Sequence, residues 1–311
     1  MIVVAGGTGM LGTRVVGLLT ARGLAVRVLT RDPAQARHLA GEHIEVVAGD
    51  VRDPRAVARA VAGARTVVSA VHGFAGTGGE SPRTIDYEGN SNLIRAARAA
   101  GAEHVVLVSV QGAAPDHPLE LHRMKYLAER EVRASGLAWT IIRPTAYMET
   151  WASIIGAPLV ATGKTRVFGR GDNPINFVAV DDVARFVDLA VTDPALRGEI
   201  IEVGGPENLS LRQFADTFAA ATGRPGTISR VPLPMMRLMA VLLRPVKPAL
   251  ARQAGAGVVM DTRDMAFDPA PTRRRFPAIA PTPLADVLRR EYGRDGAPAR
   301  PRETSAVPPR A

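Results

Sequence analysis

Gly6-Gly7-Thr8-Gly9-Met10-Leu11-Gly12 follows directly on the apolar run Ile2-Val3-Val4-Ala5 and opens a stretch with helical spacing from Met10 onward. A strand feeding a glycine-rich turn and then a helix is the arrangement that cradles a pyrophosphate. Gly6 permits the tight turn, Gly9 lets the backbone approach the phosphates, and Gly12 lets the helix close on the strand. Thr8, Met10 and Leu11 complete the expected phosphate contacts. The free amides and positive dipole end of the helix favour an anion there. A glycine turn alone is a weak signal, because such turns are common between strands and helices. Here the strand, turn, helix and following strand all fall where dinucleotide binding needs them.

Working outward, short apolar runs alternate with helical patterns, which signals a parallel sheet with crossover helices. The predicted strands are Ile2–Ala5, Ala25–Thr30, Ile44–Ala48, Thr66–Ala70, His104–Ser109 and Ala138–Arg143, with helices after Met10, Pro33, Pro54, Ile85 and Leu119. Right-handed crossovers then give a doubly wound α/β Rossmann fold, with ligands at the carboxyl ends of its strands. Residues 1–150 form the NADP(H)-binding domain, and 176–205 complete its sheet through Asn176–Val180, a helix Asp181–Thr192 and a returning strand Glu199–Val203. Residues 151–175 and 206–292 are expected to form a smaller C-terminal substrate lobe. In it Ser210 caps a helix that runs to Thr222 and stops at Gly223. The proline-rich tail, 293–311, is expected to be disordered.

The end of the second strand selects the cofactor. An NAD site places an acid there for the ribose 2′-hydroxyl, whereas this chain has Thr30 and Arg31. A guanidinium can grip a 2′-phosphate, so the expected cofactor is NADP(H). Asp32, followed by Pro33, reads as a helix cap pointing away. After the third strand, Asp50 suits either an adenine contact or a turn cap, with Val51 beside it. Ser69, Ala70 and Val71 end the fourth strand, small enough to let the nucleotide pass.

Composition narrows the function classes. The chain has 311 residues, 46% hydrophobic and 22% charged, with a net charge of +9. Of its 39 basic residues only Lys125, Lys164 and Lys247 are lysines, and the arginines are spread out apart from Arg273-Arg274-Arg275. That distribution argues against a nucleic-acid partner. The absence of cysteine excludes disulfides, thiolate nucleophiles and zinc–thiolate centres; no metal site is expected, and the chain suits a reducing cytoplasm. Neither a secretory leader nor an apolar run long enough to span a bilayer is read from the sequence.

The glycine motif, Thr30-Arg31-Asp32, Asp86-Tyr87-Glu88-Gly89-Asn90-Ser91-Asn92-Leu93 and the run Lys125…Ser135-Gly136-Leu137…Ile142-Arg143-Pro144 together resemble the atypical short-chain dehydrogenase/reductases. The match is to the NmrA-like and related NAD(P)H-binding group, through Pro206. Ordinary members use a tyrosine as general acid, four residues before a lysine that lowers its pKa and holds the nicotinamide ribose. Lys125 matches the lysine and Ser109 the catalytic serine, but the tyrosine position holds Leu121. The resemblance therefore implies Lys125 at the ribose or at a developing oxyanion, with Pro144 beside the nicotinamide. Substitute proton donors are His122, one turn before Lys125, and Tyr147, in the loop after Pro144; each also has a plain packing role. Tyr126 points away from Lys125 on the helix. Asn176–Ala184 also resembles the group and reads as a strand entering a helix capped by Asp181 or Asp182.

Three functions fit. The leading one is an NADPH-dependent reductase of a small, apolar or aromatic carbonyl, quinone or enone. The others are an NADP(H)-sensing regulator and an assembly or accessory protein with structural cofactor, each needing a protein partner. Residues 232–251 alternate methionine and leucine with Arg237 and Arg244. The segment reads as a substrate lid or core helix, or else as a peripheral membrane contact.

Overall fold

A computed structural model describes residues 1–39, 41–76 and 79–293. Its first part runs β1 (Ile2–Ala5), α1 (Met10–Ala21), β2 (Val26–Thr30), β3 (Ile44–Ala48), α2 (Pro54–Val61), β4 (Thr66–Ser69), α3 (Asn90–Ala99), β5 (His104–Val108), α4 (Glu120–Ala134) and β6 (Ala138–Pro144). Next come β7 (Ala146–Tyr147), α5 (Met148–Trp151), α6 (Ala157–Thr162), β8 (Lys164–Phe168), β9 (Ile175–Val178), α7 (Val180–Thr192) and β10 (Glu199–Val203). The chain continues through β11 (Asn208–Leu209), α8 (Leu211–Thr222), β12 (Thr227–Val231), α9 (Leu233–Leu242), α10 (Pro248–Thr262), α11 (Ala270–Arg275) and α12 (Leu284–Tyr292).

Seven parallel strands form the main sheet in the order β10-β6-β5-β4-β1-β2-β3. The order reverses between β1 and β4, so a crevice opens at their carboxyl ends. This is the doubly wound fold the apolar strands foretell. One apolar layer packs α1 and α7 against the sheet, with Val15, Val16, Leu19, Val183 and Val187 buried. The other packs α2, α3 and α4 on the opposite face through Val57, Val61, Leu93 and Val132. Burial on both faces fails at the two edge strands, the half-exposed β3 and β10 with its partly exposed Glu199 and Glu202.

A third core, around Met148, Trp151, Phe177, Phe214, Phe218 and Leu288, builds the lobe. Ser210 and Gln213 cap α8 reciprocally, and Gly223 ends it in the left-handed region. α7 has a cap the sequence did not suggest. Neither Asp181 nor Asp182 caps it; the buried Glu149 of α5 accepts the Val180 amide at 3.0 Å. Asp182 instead accepts the amide and hydroxyl of Thr282 at 2.7 and 2.8 Å, and Asp181 pairs with Arg14 of α1. The tail from residue 294 onward lies outside the described residues.

Candidate functional site

The glycine turn separates folding from binding duties. Gly6 has φ of 79°, and a Cβ there would come 2.8 Å from the Ala70 carbonyl oxygen. A Cβ at Gly12 would lie 2.1 Å from the Gly6 oxygen, so Gly12 is required for the helix to sit on its own turn. Gly9 differs: its φ is −76°, it is exposed, and a Cβ there would meet only the Gly6 oxygen at 3.2 Å. No side chain caps the first turn of α1, so the amides of Met10, Leu11 and Gly12 keep the donor capacity an anion would use. Thr8 is half-buried beside Gly9, its hydroxyl 3.2 Å from that of Thr30. These residues fit a pyrophosphate.

At the adenosine end, Asp32 accepts the Ala34 amide at 2.9 Å and so turns away as a local cap. Arg31 is more than half exposed and pairs with Glu80 from the loop after β4. Asp50 accepts from its neighbour's backbone amide and, through both oxygens, from the Arg52 guanidinium, at 2.6–3.1 Å. The Arg52 hydrogen bonds hold its carboxyl below the usual range against burial, with Arg31 adding a smaller pull. The expected adenine contact by Asp50 therefore gives way to a turn role, because Arg52 occupies both carboxylate oxygens. Val51 is buried, its carbonyl accepting from Asn92 at 2.9 Å.

Between β4 and β5 the structure differs most from expectation. The Lys125 ammonium is 3% exposed and donates to the carbonyls of Val71 at 3.0 Å and Val108 at 2.8 Å, with Asp86 paired at 3.0 Å. Two of its three N–H donors are taken by main-chain carbonyls, and the contact with the buried Asp86 Oδ1 is an ion pair without a hydrogen bond. Lys125 thus acts as a staple between two strand ends. Burial would raise the Asp86 pKa, but the Lys125 charge, helped by His72 and the Gly73 amide, holds it below its ordinary value. Ser109, at the end of β5, joins a second buried cluster. Its hydroxyl donates to Glu129 at 2.5 Å, and this fully buried carboxylate also takes the Arg143 guanidinium at 2.9 and 2.6 Å. The Ser109 proton is committed inside the protein. Ser69 likewise donates to Asn90 at 2.6 Å and is buried, leaving Ala70 as the half-exposed residue at that strand end.

The substitute acids fare no better. His122 is buried and stacked on His117 at 3.8 Å, beside the turn containing Gly112. Burial, reinforced by His117, pushes its pKa down to about 3, so it is neutral near pH 7. Tyr147 is half-buried in the small sheet with β9; burial and the Glu149 carboxylate raise its pKa, the reverse of what a general acid needs. Pro144 ends β6, its carbonyl accepting the Gln111 amide at 2.9 Å. Glu129 and Glu80 escaped the sequence reading, and Asp86 and Arg143 entered it only through the family resemblance. One signal was available: Lys125 and Glu129 are four apart on α4, so they share its inward face.

Comparison with known proteins identifies the family and supports the fold. The family described as NAD(P)H-binding matches residues 6–194. An NAD(P)H azoreductase of Xenophilus azovorans is 30% identical over 301 residues, covering 96% of this chain and 94% of that protein. The photosystem II assembly factor Ycf39 of Synechocystis is 27% identical over 300 residues, covering 94% of this chain and 91% of that one. Among solved structures, the NADPH complex of the Escherichia coli quinone oxidoreductase QOR2 superposes with a TM-score of 0.75 at 24% identity, over 93% of this chain and 98% of that one.

Proposed function

This chain belongs to the NAD(P)H-binding family and its cofactor is NAD(P)H, and from that premise we propose that it is an NADPH-dependent reductase of small quinone acceptors. When bound, the dinucleotide supplies a hydride. What the protein's residues must then supply depends on the acceptor. A ketone becomes an alkoxide and needs an acid beside it. A quinone becomes a delocalised phenolate whose conjugate acid has a pKa of about 10, close to that of tyrosine, so water can deliver the proton. The observation that carries the choice is that the Ser109 proton goes to Glu129 and two Lys125 protons go to main-chain carbonyls, with Leu121 where the acid would stand. Such a site positions its reactants and leaves the proton to water.

In this reading the amides at Gly9 to Gly12 hold the pyrophosphate and Arg31 takes the 2′-phosphate, exchanging Glu80 for it. Lys125 positions the carbonyl edges of β4 and β5 against which the nicotinamide would lie. The test is titration with NADPH and NADH, followed by a screen of quinones, azo dyes and simple ketones. Oxidation of NADPH by quinones and not by ketones is the expected outcome; ketone reduction at comparable rates would refute the assignment. A second reading, an assembly or sensing protein, draws on the same committed side chains and on the similarity to Ycf39. NADPH bound tightly and left unoxidised by every acceptor would favour it.

A further inference from the structure

The hairpin of α9 and α10 has one face that folding does not use. Among the described residues, six of the nine strongly exposed large apolar side chains lie on it: Met235, Leu238, Val241, Leu242, Val246 and Leu250, at 37–75% exposure. On α9, positions 235, 238 and 242 follow helical spacing and form one outward stripe, while Met236 on the other face is 1% exposed. The inner packing is tight, since a Cβ at Gly257 of α10 would come 3.1 Å from the Met236 sulfur. The stripe is therefore not a poorly packed core.

Charge identifies what would cover it. From residue 217 to residue 260 the chain has no Asp or Glu, yet it carries Arg224, Arg230, Arg237, Arg244, Lys247 and Arg252. Arg237, Arg244 and Lys247 are exposed around the stripe. A second copy docked by a two-fold axis would bring these cations against their own equivalents without a compensating acid. α9 has 10 residues, and no described helix is long and apolar enough to cross a membrane. An apolar face rimmed by cations on a short helix matches the headgroup boundary of an anionic bilayer.

We propose that the α9–α10 hairpin docks the protein on anionic phospholipid, its apolar stripe in the headgroup region and its cations on the lipid phosphates. Arg252, one turn into α10 from the tip of the hairpin, donates to the Phe74 and Gly76 carbonyls at 3.1 and 2.8 Å, which ties the hairpin to the loop after β4. Docking would thus hold the cofactor edge near the bilayer, where apolar acceptors dissolve. That consequence rests on the proposed activity, whereas the docking does not.

The experiment is co-sedimentation of the full chain with vesicles of phosphatidylcholine alone and of phosphatidylcholine mixed with phosphatidylglycerol. The protein should pellet with the mixed vesicles, far less with the neutral ones, and less at high salt. At roughly fivefold per cation near an anionic surface, Arg237→Glu/Arg244→Glu/Lys247→Glu should lower partitioning at least about a hundredfold. Leu238→Ser/Leu242→Ser should also lower it, with melting temperature and NADPH affinity unchanged. Failure to pellet with the mixed vesicles, or equal pelleting with both kinds unaffected by charge reversal, overturns the proposal. So does a dimer in light scattering that Leu238→Ser/Leu242→Ser dissociates, which would assign the stripe to a second copy.

Discussion

Single residues separate binding from folding at this site. Gly9→Val should leave the fold largely intact, because its φ suits any L-residue and the new Cβ meets only the Gly6 oxygen, at 3.2 Å. NADPH binding should nevertheless fall sharply, since the new side chain occupies the pyrophosphate's place. Gly12→Val should instead lower the melting temperature, its Cβ colliding with the Gly6 backbone. Calorimetric titration and thermal melts of both variants check this pair. Arg31→Ala should remove roughly 1.5–3 kcal/mol of NADPH affinity, some ten- to hundredfold, and little of NADH affinity. Glu80→Gln should tighten NADPH, but by less than about 1 kcal/mol, because the Arg31 partner it removes is a partly exposed ion pair; measured dissociation constants for the two nucleotides decide it. Two buried histidines set the acid response. His122 and His104 have folded-state pKa values depressed by burial to about 3 and about 4. Above the unfolded value of about 6.5 both states are neutral and nothing is lost. As pH falls below that value the unfolded chain takes up protons that the folded one refuses, so stability should decline by roughly 2 kcal/mol per histidine by pH ~4.5. His122→Phe, which keeps a ring against His117, should remove about half of that slope in denaturant melts.

At the scale of elements, Lys125 joins α4 to the ends of β4 and β5 and to Asp86 in the helical segment Pro82–Gly89 that runs into α3. Removing it strands a carboxylate in the interior. Lys125→Ala should therefore cost about 3–5 kcal/mol of stability, whereas Lys125→Met combined with Asp86→Asn should recover much of it, a coupling that a double-mutant cycle in denaturant measures. If Lys125 instead contacts the ribose directly, the single variant will keep its stability and lose cofactor affinity. These elements also mark the boundary of what the sequence revealed. Strands β1, β2 and β4 to β6, the glycine turn and the cap at Ser210 were legible because apolar runs, positive-φ glycine and capping residues are local signals. The partners of Lys125, Ser109 and Asp50 were not. Each is chosen by a residue brought near through tertiary packing or, for Arg52, by a side-chain rotamer that spacing does not set. The α7 cap was missed for the same reason: Glu149 is 31 residues upstream of the amide it accepts.

For the whole molecule, the carboxyl ends of β1, β2, β4 and β5 carry the groups that the proposed reading gives to the cofactor, while the lobe carries the exposed cationic hairpin. The catalytic claim reduces to a site that delivers hydride and leaves protonation to water. Its most direct test is a single-turnover reaction of the NADPH-loaded protein with a benzoquinone, following loss of the reduced-nicotinamide absorbance across pH 6 to 9 (roughly the range in which no assigned donor should titrate). The account gives oxidation at a rate independent of pH over that range, and almost unchanged in Ser109→Ala and Tyr147→Phe. A rate that falls with the titration of a single group, or that either substitution abolishes in a folded protein, would contradict it.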